Sequence, residues 1–458
     1  MTLRIPTRLY KIAPLLIGGL FLGGVAVALP HTYLLVIVAV ALAGVVLFWR
    51  PNWAVVGLML LKASMDNLSQ TITLFQGAPY QVNINGLLNV LVVLLATFFI
   101  LTGRVRPTRF ALLRPMTLLL VIGAIGLLIS SEPMSVLREW VRLASLPAVF
   151  LLVVAGGRSR ASKRRLISVI LLSAIVPCLV GFYQVLTGRG YTISVGFNRA
   201  YGTFWFPNGL AFYLLVVVAL LFPTYQKTRS MLLRVLMLGL GAMCGLTLLL
   251  TYTRAAWGSL ILMAGVVAIL RYRKWLIIGP IVLLLIVVAV PSVRQRVADL
   301  ITPQTLSLQR VYRVDQTTLG SSNSFQWRLL LWSDTIHYVG KNPLLGQGLA
   351  SYPRLAAASE IGIEIAAHND YLRMLIEVGV LGLVAYLGVQ WQVVRMAWQA
   401  FKTTGEQHLM GLWLLALYLA ILAVSLTDNI LSYHTVGWYL WTFIALVHLP
   451  DADKNYVH

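Results

Sequence analysis

Apolar residues in this chain fall in long, nearly unbroken runs separated by short polar gaps. The runs approach the ~20 residues that carry an α-helix across a bilayer. They recur from end to end, at approximately 13–30, 33–49, 53–65, 85–103, 115–130, 136–156, 166–187, 207–225, 231–251, 255–270, 275–291, 369–392, 408–427 and 434–449. The pattern predicts an all-α fold, a polytopic transmembrane helix bundle of about 12–14 spans. An even count puts both termini on the cytoplasmic side. The start, Arg4, Arg8 and Lys11 followed by an apolar stretch to Pro30, has the shape of a signal peptide. A second apolar run begins at Tyr33 and more follow, so it reads as a first span.

The gaps divide the chain into helices over 1–291, a long loop over 292–368 and further helices over 369–458. The gaps 66–84 and 188–206 are polar, with glycine and aromatic residues. The long loop holds Pro303, Pro343 and Pro353 and an amphipathic, helix-like piece near Phe325–Tyr338. Trp327 and Trp332 in that piece have the spacing of interfacial anchors on a helix lying on the membrane face. No internal repeat stands out, which counts against a transporter built on inverted repeats.

Composition agrees with the pattern. Of 458 residues, 59% are hydrophobic and 11% charged, too few polar groups to coat a soluble body. The net charge of +22 admits nucleic-acid binding or membrane topology. Position favours topology: Arg104, Arg106, Arg109 and Arg114, then Arg158, Arg160, Lys163, Arg164 and Arg165, then Lys227 and Arg229, then Arg271, Arg273 and Lys274 occupy alternating gaps. Those gaps are then cytoplasmic, the long loop faces the other side, and no nucleic-acid partner is expected. Cys178 and Cys244 lie in different apolar runs and suggest buried thiols rather than a disulfide framework.

Ionisable residues inside or at the ends of spans are costly and mark function by default. Lys62 and Asp66 have the spacing of an i,i+4 ion pair. Arg138 and Arg142 share one helix face, with Glu139 between them in sequence. Arg254 follows Thr251-Tyr252-Thr253 at a turn, Arg373 and Glu377 lie in the first turns of a span, and Asp428 ends another. All of these map to the non-cytoplasmic side. Arg138, Arg142, Arg189, Arg199 and Arg254 form a set that could converge on an anionic ligand, because the guanidinium fork donates two hydrogen bonds to phosphate. Anchoring to lipid phosphates is the plainer alternative.

None of the seven histidines has metal-ligand spacing, so no metal and no cofactor are expected. His368 differs from the others in context. It ends the long loop in Ala-Ala-His368-Asn369-Asp370, just before an apolar helix that Asn369 or Asp370 can cap. A helix N-terminus disfavours imidazolium and keeps the ring neutral, as a general base requires. A capping or loop histidine is the plainer reading of the same position.

The run His368-Asn369-Asp370-Tyr371-Leu372, with Leu375, Glu377, Gly379 and Gly382, resembles the signature of the O-antigen ligase/polymerase superfamily. Arg199 followed by Gly202 and Pro207-Asn208-Gly209 with Ala211 is similar to another part of the family pattern. Thr253-Arg254-Ala255 resembles its outer-turn arginine, with threonine where serine is usual. Trp327-Arg328 and Pro343-Leu-Leu-Gly346-Gln-Gly348 resemble the loop before the histidine. The resemblance covers about residues 190–395 and reaches the N-terminal third only in character.

The resemblance implies a metal-independent, inverting glycosyltransferase of the inner membrane, its active site facing the periplasm, in surface polysaccharide synthesis. The donor would be a glycan on undecaprenyl diphosphate. The acceptor would be a glycan on a second lipid carrier (a polymerase) or lipid A-core (a ligase), with membrane lipids around both. His368 would be the base, with Arg199 and Arg254 binding the diphosphate. Arg138 and Arg142 are second candidates for the diphosphate, Arg373 and Glu377 form a pair beside it, and Asp428 would orient His368 or Arg254. The span count leans toward the polymerase. A lipid-linked glycan transporter is a further alternative, though it would line a path across the whole membrane with charge.

Overall fold

Several helices in this chain start where a loop offers a polar side chain to the free N–H groups of a first turn. Asn83 Oδ1 accepts from Gly86 N at 2.8 Å, Ser159 Oγ from Ser162 N at 3.1 Å and Asn369 Oδ1 from Leu372 N at 3.0 Å. Pro133 and Pro207 occupy first turns, where the missing N–H has no helical partner to lose.

A computed structural model of the chain describes residues 51–71, 73–77, 80–157, 159–192, 198–289, 291, 293–294, 324–359, 362 and 364–449. The order begins with α1 (Pro51–Ser64), α2 (Asp66–Thr71), a ribbon of β1 (Thr73–Gly77) and β2 (Tyr80–Asn83), and α3 (Ile84–Leu101). It continues with α4 (Leu113–Ile129), α5 (Pro133–Gly156), α6 (Arg160–Ser173), α7 (Ile175–Leu186), a ribbon of β3 (Tyr191–Thr192) and β4 (Asn198–Arg199), and α8 (Pro207–Lys227). Then come α9 (Met231–Leu250), α10 (Arg254–Leu270), α11 (Trp275–Ala289), α12 (Ser324–Thr335), α13 (Tyr352–Ala357), α14 (Asp370–Phe401), α15 (Glu406–Val424) and α16 (His434–His448).

The fold is an all-α polytopic bundle. Among the described residues, 7 helical segments are long and apolar enough to cross a membrane: α3, α5, α6 with α7, α8, α9, α14 and α15. The apolar helices α4, α10 and α11 are shorter. The expected spans 13–30 and 33–49 lie outside the described residues, as do 295–323 of the long loop. α8 lies at the centre, with 78% of its apolar window buried against 17% for α9, where Leu232, Leu233, Leu236, Leu238 and Leu246 face outward. Around α8 pack α9, α10, α15 and α16, while α5 packs against α3, α4 and α16.

The polar gaps 66–84 and 188–206 contain short antiparallel ribbons rather than open loops. Backbone groups held against an apolar bundle need partners, and here strands supply them. Two breaks in the helices let loops enter the bundle. Pro177 lacks an N–H, and the expected span 166–187 bends there into α6 and α7. The turn before α8 seats against this bend: Gly202, at φ 57°, would place a Cβ 2.5 Å from the Pro177 carbonyl oxygen. The second break is Gly379 inside α14, at φ 66° and ψ −170°. The loop Pro343–Gly348 docks into it, with Val380 N donating to Pro343 O at 2.8 Å and Gly348 N to Glu377 O at 2.9 Å. Gly379 thus lets a loop enter a helix. Irregular backbone at such depth survives because protein surrounds it and satisfies its polar groups.

The loop 292–368 is partly helical. α12 and α13 close over a small apolar cluster of Leu331, Tyr338, Tyr352, Ala356, Ala367 and Ile376. Trp332, expected as a membrane anchor, packs against this cluster and donates from Nε1 to Ala367 O at 2.7 Å, the carbonyl just before His368. The side chain of Trp327 lies outside the described residues.

Candidate active site

The long apolar helices α8 and α15 are joined at one end of the bundle by polar residues of their flanking loops. That end is opposite the arginine-rich turn after α3. α16 spans the distance: its first residue His434 lies 3.4 Å from Ser145 Oγ, and its last, His448, has its ring 5.0 Å from that of Phe110.

Arg199 ends β4. Its Nε donates to Thr251 O at 2.7 Å, and its Nη2 donates to Thr253 Oγ1 and to Asn208 Oδ1, each at 3.0 Å. Asn208 stands in the first turn of α8, placed there by Pro207. Its Nδ2 donates to Asp428 Oδ2 at 2.9 Å. Asp428 follows α15 and is 1% exposed, with Oδ1 accepting from Asn429 N at 2.8 Å and from the Tyr433 hydroxyl at 3.0 Å. The same Oδ1 stands 3.8 Å from Nδ1 of His368, whose side chain is 30% exposed. One polar path therefore runs from the α9–α10 turn through Arg199, Asn208 and Asp428 to His368. All four line a cavity of about 450 Å³ together with Tyr433, Asp66 and a rim of aromatic rings.

Electrostatics support the path. Burial opposes the Asp428 charge, but hydrogen bonding and charge from His368, the Arg328 guanidinium and the Asn429 N–H hold its carboxyl below the usual carboxylate range. Burial first and the Asp428 charge second push the Tyr433 phenol well up, so it remains a donor to that carboxylate. A carboxylate facing Nδ1 favours a proton there and leaves Nε2 with its lone pair.

The backbone fixes His368 as firmly as its side chain. Its φ of 49° is in the left-handed region, where histidine costs about 1–2 kcal/mol. The His368 N–H donates to Asn429 Oδ1 at 2.5 Å, and Trp332 holds the preceding carbonyl. Asn369 caps α14, and Asp370 accepts from Leu431 N at 3.2 Å and Asn429 Nδ2 at 3.3 Å. The loop before α14 and the loop after α15 are thus stitched together side by side.

Behind this layer lies a second cluster. Arg142 grips Glu139 with two nitrogens and donates to Leu431 O. Arg373 donates from Nη2 to Glu139 Oε1 at 2.5 Å, from Nε to Glu377 Oε1 at 3.2 Å and from Nη1 to Ser432 Oγ at 3.1 Å. Two arginines and two glutamates balance, so the anion that meets Arg142 is a carboxylate of its own helix. Arg138 is exposed and stands outside this quartet. Arg254 opens α10 directly after Thr253, whose hydroxyl meets Arg199. Arg189 lies on Tyr183 at the surface, with Nη1 donating to the phenol oxygen at 3.1 Å. Lys62 and Asp66 fall on separate helices; the Lys62 ammonium sits 5.0 Å over the Trp438 ring, and Asp66 accepts from the Thr435 hydroxyl.

The structure brings His368, Asp428 and Arg199 together, and it sets Arg142, Arg373 and Glu377 in the layer beneath. Sequence reasoning passed over Asn208, Asn429 and Tyr433 as site members, and Arg328 as a charge felt at Asp428. Asn208 carried a signal, a polar residue in the first turn of an apolar helix beside the arginine motif.

No curated protein matches the chain closely enough to count as a relative. Residues 236–387 match a family model described as O-Antigen ligase. The matched stretch takes in Arg254, the loop that docks at Gly379, His368 and Glu377, while Arg199, Asn208 and Asp428 lie beyond it. This match, on an all-α membrane bundle with the histidine and arginine motifs named above, supports the resemblance to the O-antigen ligase/polymerase superfamily.

Proposed function

We propose that the protein transfers a glycan from undecaprenyl diphosphate to a sugar hydroxyl at the periplasmic face of the inner membrane. The superfamily works in the synthesis of O-antigen and related surface polysaccharide. The observation that supports the finer reading is the path Arg199–Asn208–Asp428–His368 along one cavity wall, with an imidazole and a guanidinium beside the same space.

In the reaction, His368 Nε2 takes the proton of the acceptor hydroxyl as its oxygen attacks the anomeric carbon. The bond from that carbon to the diphosphate oxygen breaks, and undecaprenyl diphosphate leaves with the electron pair. A single displacement inverts the anomeric centre. Arg199, with Arg254 on the adjoining turn, meets the charge that grows on the leaving oxygen. Preorganised donors of this kind lower a barrier by several kcal/mol. Asp428 acts through His368, holding its ring and stabilising the imidazolium that forms.

The acceptor is lipid A-core or a second lipid-linked glycan. The description of the matching family favours the ligase. The lean toward a polymerase depends on a count near fourteen spans; each expected span from 53–65 onward has its helix, and 13–30 and 33–49 lie outside the described residues. Reconstitution of the purified protein with an undecaprenyl-diphosphate-linked glycan, each acceptor offered in turn, tests both points. Transfer to either acceptor supports the reaction and names the activity; no transfer to either, from a donor the protein binds, overturns it.

A further inference from the structure

Three large aromatic side chains on the cavity rim have no part in the transfer steps. Tyr191, Trp205 and Phe206 are 41%, 44% and 44% exposed, and all line the cavity shared by Arg199 and His368. They form a continuous edge-to-face series: Tyr191 to Phe206 is 5.9 Å between ring centroids at 72°, and Phe206 to Trp205 is 6.1 Å at 82°. Their neighbour Phe204 turns the other way and packs on Tyr213 at 5.1 Å in the core. All three rings of Phe204-Trp205-Phe206 border the cavity, but Phe204 is buried while the next two are exposed.

The platform is built onto the arginine side of the site. Tyr191 is the direct partner of Arg199 in the β3–β4 ribbon, and directly paired residues project from the same face about 5 Å apart. Phe206 precedes Pro207 and Asn208, and Asn208 holds the Arg199 guanidinium. The turn that carries the rings is seated by Gly202 against the Pro177 bend. Rings held this way present apolar faces and edges, set at steep angles to one another, to the cavity that Arg199 also lines.

We infer that Tyr191, Trp205 and Phe206 form a stacking subsite for the pyranose ring attached to the diphosphate of the donor. A pyranose has C–H faces that suit an aromatic surface and a polar edge that suits the hydrogen-bonding groups beside it. With the diphosphate at Arg199, the first sugar lies one glycosidic oxygen away, which is where the platform begins. The acceptor then approaches from the His368 side. The inference rests on the proposed reaction for the identity of the donor.

The test compares two ligands on the full chain in lipid nanodiscs: undecaprenyl diphosphate bearing the glycan, and undecaprenyl diphosphate alone. Wild type should bind the first more tightly. Trp205→Ala and Tyr191→Ala should each weaken binding of the sugar-bearing lipid about 3- to 10-fold, the range of a single aromatic stacking contact. Binding of the bare lipid should be unchanged in both variants, which also shows that they fold, and Trp205→Phe should retain most of the sugar-dependent affinity. Equal losses for both lipids would make the rings membrane anchors of the interfacial kind and overturn the subsite, as would no loss for either. Transfer by wild type with an unaltered sugar preference in Trp205→Ala sinks the subsite and leaves the proposed reaction standing. A sugar preference that Trp205→Ala removes, in a protein that transfers to neither acceptor, sinks the reaction and leaves the subsite.

Discussion

Asp428, on the loop after α15, holds its Oδ1 3.8 Å from Nδ1 of His368 on the loop before α14, across a contact that no stretch of sequence records. The carboxylate is 1% exposed and the imidazole 30%, so the pair has a dry end and an open end. The open end is the one that can meet a hydroxyl. His368→Ala should abolish glycan transfer while membrane insertion and donor binding persist. Asp428→Asn should keep the donor KM and lower kcat about 100-fold, as misplacement of a base by ~1 Å does. Steady-state kinetics of the purified variants check both, and an unchanged kcat in Asp428→Asn would remove it from the site.

Asn208 should prove as important as either charged neighbour. It connects Arg199 to Asp428 through one amide, and both halves of that amide are used. Asn208→Leu leaves two charged groups short of a partner, at about 1–3 kcal/mol each. The expected result is a donor KM raised about tenfold or more, together with a lower kcat. Asn208→Asp sets a second carboxylate against Asp428 and should be worse than leucine at neutral pH.

Stability should fall on the acid side in a way that traces to Asp428. Its folded pKa lies below the unfolded value of about 3.9. Its contribution is therefore complete above about pH 4 and is lost as pH falls through the folded value. Thermal melts in detergent from about pH 6 to pH 3 should show this loss in wild type and a flatter profile in Asp428→Asn.

The quartet under the site should behave as a unit. Glu139 accepts from both Arg142 and Arg373, so Glu139→Gln takes a carboxylate from a half-buried and a buried guanidinium at once. Removing one member of a buried charge set costs about 3–5 kcal/mol. We expect a large drop in melting temperature or in folded yield. Because Arg142 and Arg373 hold Leu431 and Ser432, the surviving protein should also have lower kcat.

Gly379→Ala should expose the dependence of the site on the broken helix. At φ 66° an L residue is strained by about 1–2 kcal/mol, and the new Cβ would run into the Leu344 carbonyl. Hydrogen exchange of Gly348 and Val380, whose N–H groups close the loop onto α14, should quicken in the variant. Gly258→Ala, in α10 with nothing within 4 Å of the new Cβ, gives the contrast.

Much of this molecule is legible along the chain, and the reason differs from residue to residue. His368 announces itself because a polar triplet interrupts apolar sequence just before a helix that Asn369 caps. Arg199 and Arg254 are visible because arginine beside a span is costly. Asn208 is harder, since one amide in a first turn has many uses. Asp428 could be seen as a charge out of place, but its partner could not be chosen from a line of residues. For Arg142 the sequence suggested an external anion, and the fold supplies Glu139 and brings Arg373 to share it.

The sequence by itself determined the solvent the chain lives in, the helical form this demands and the end of the bundle at which the candidate residues gather. Each of these follows from local free energies: apolar runs leave water, backbone groups in hydrocarbon pair within a helix, and charges stay near an interface. Only the tertiary structure decided which charges work together. Pro177 bends a span and Gly379 opens one; through those breaks, loops enter that bring Arg199, Asn208, Asp428 and His368 to one wall. Such pairings depend on long-range packing among buried groups, where each polar atom must find its partner across the bundle, and that condition is not written in any local pattern.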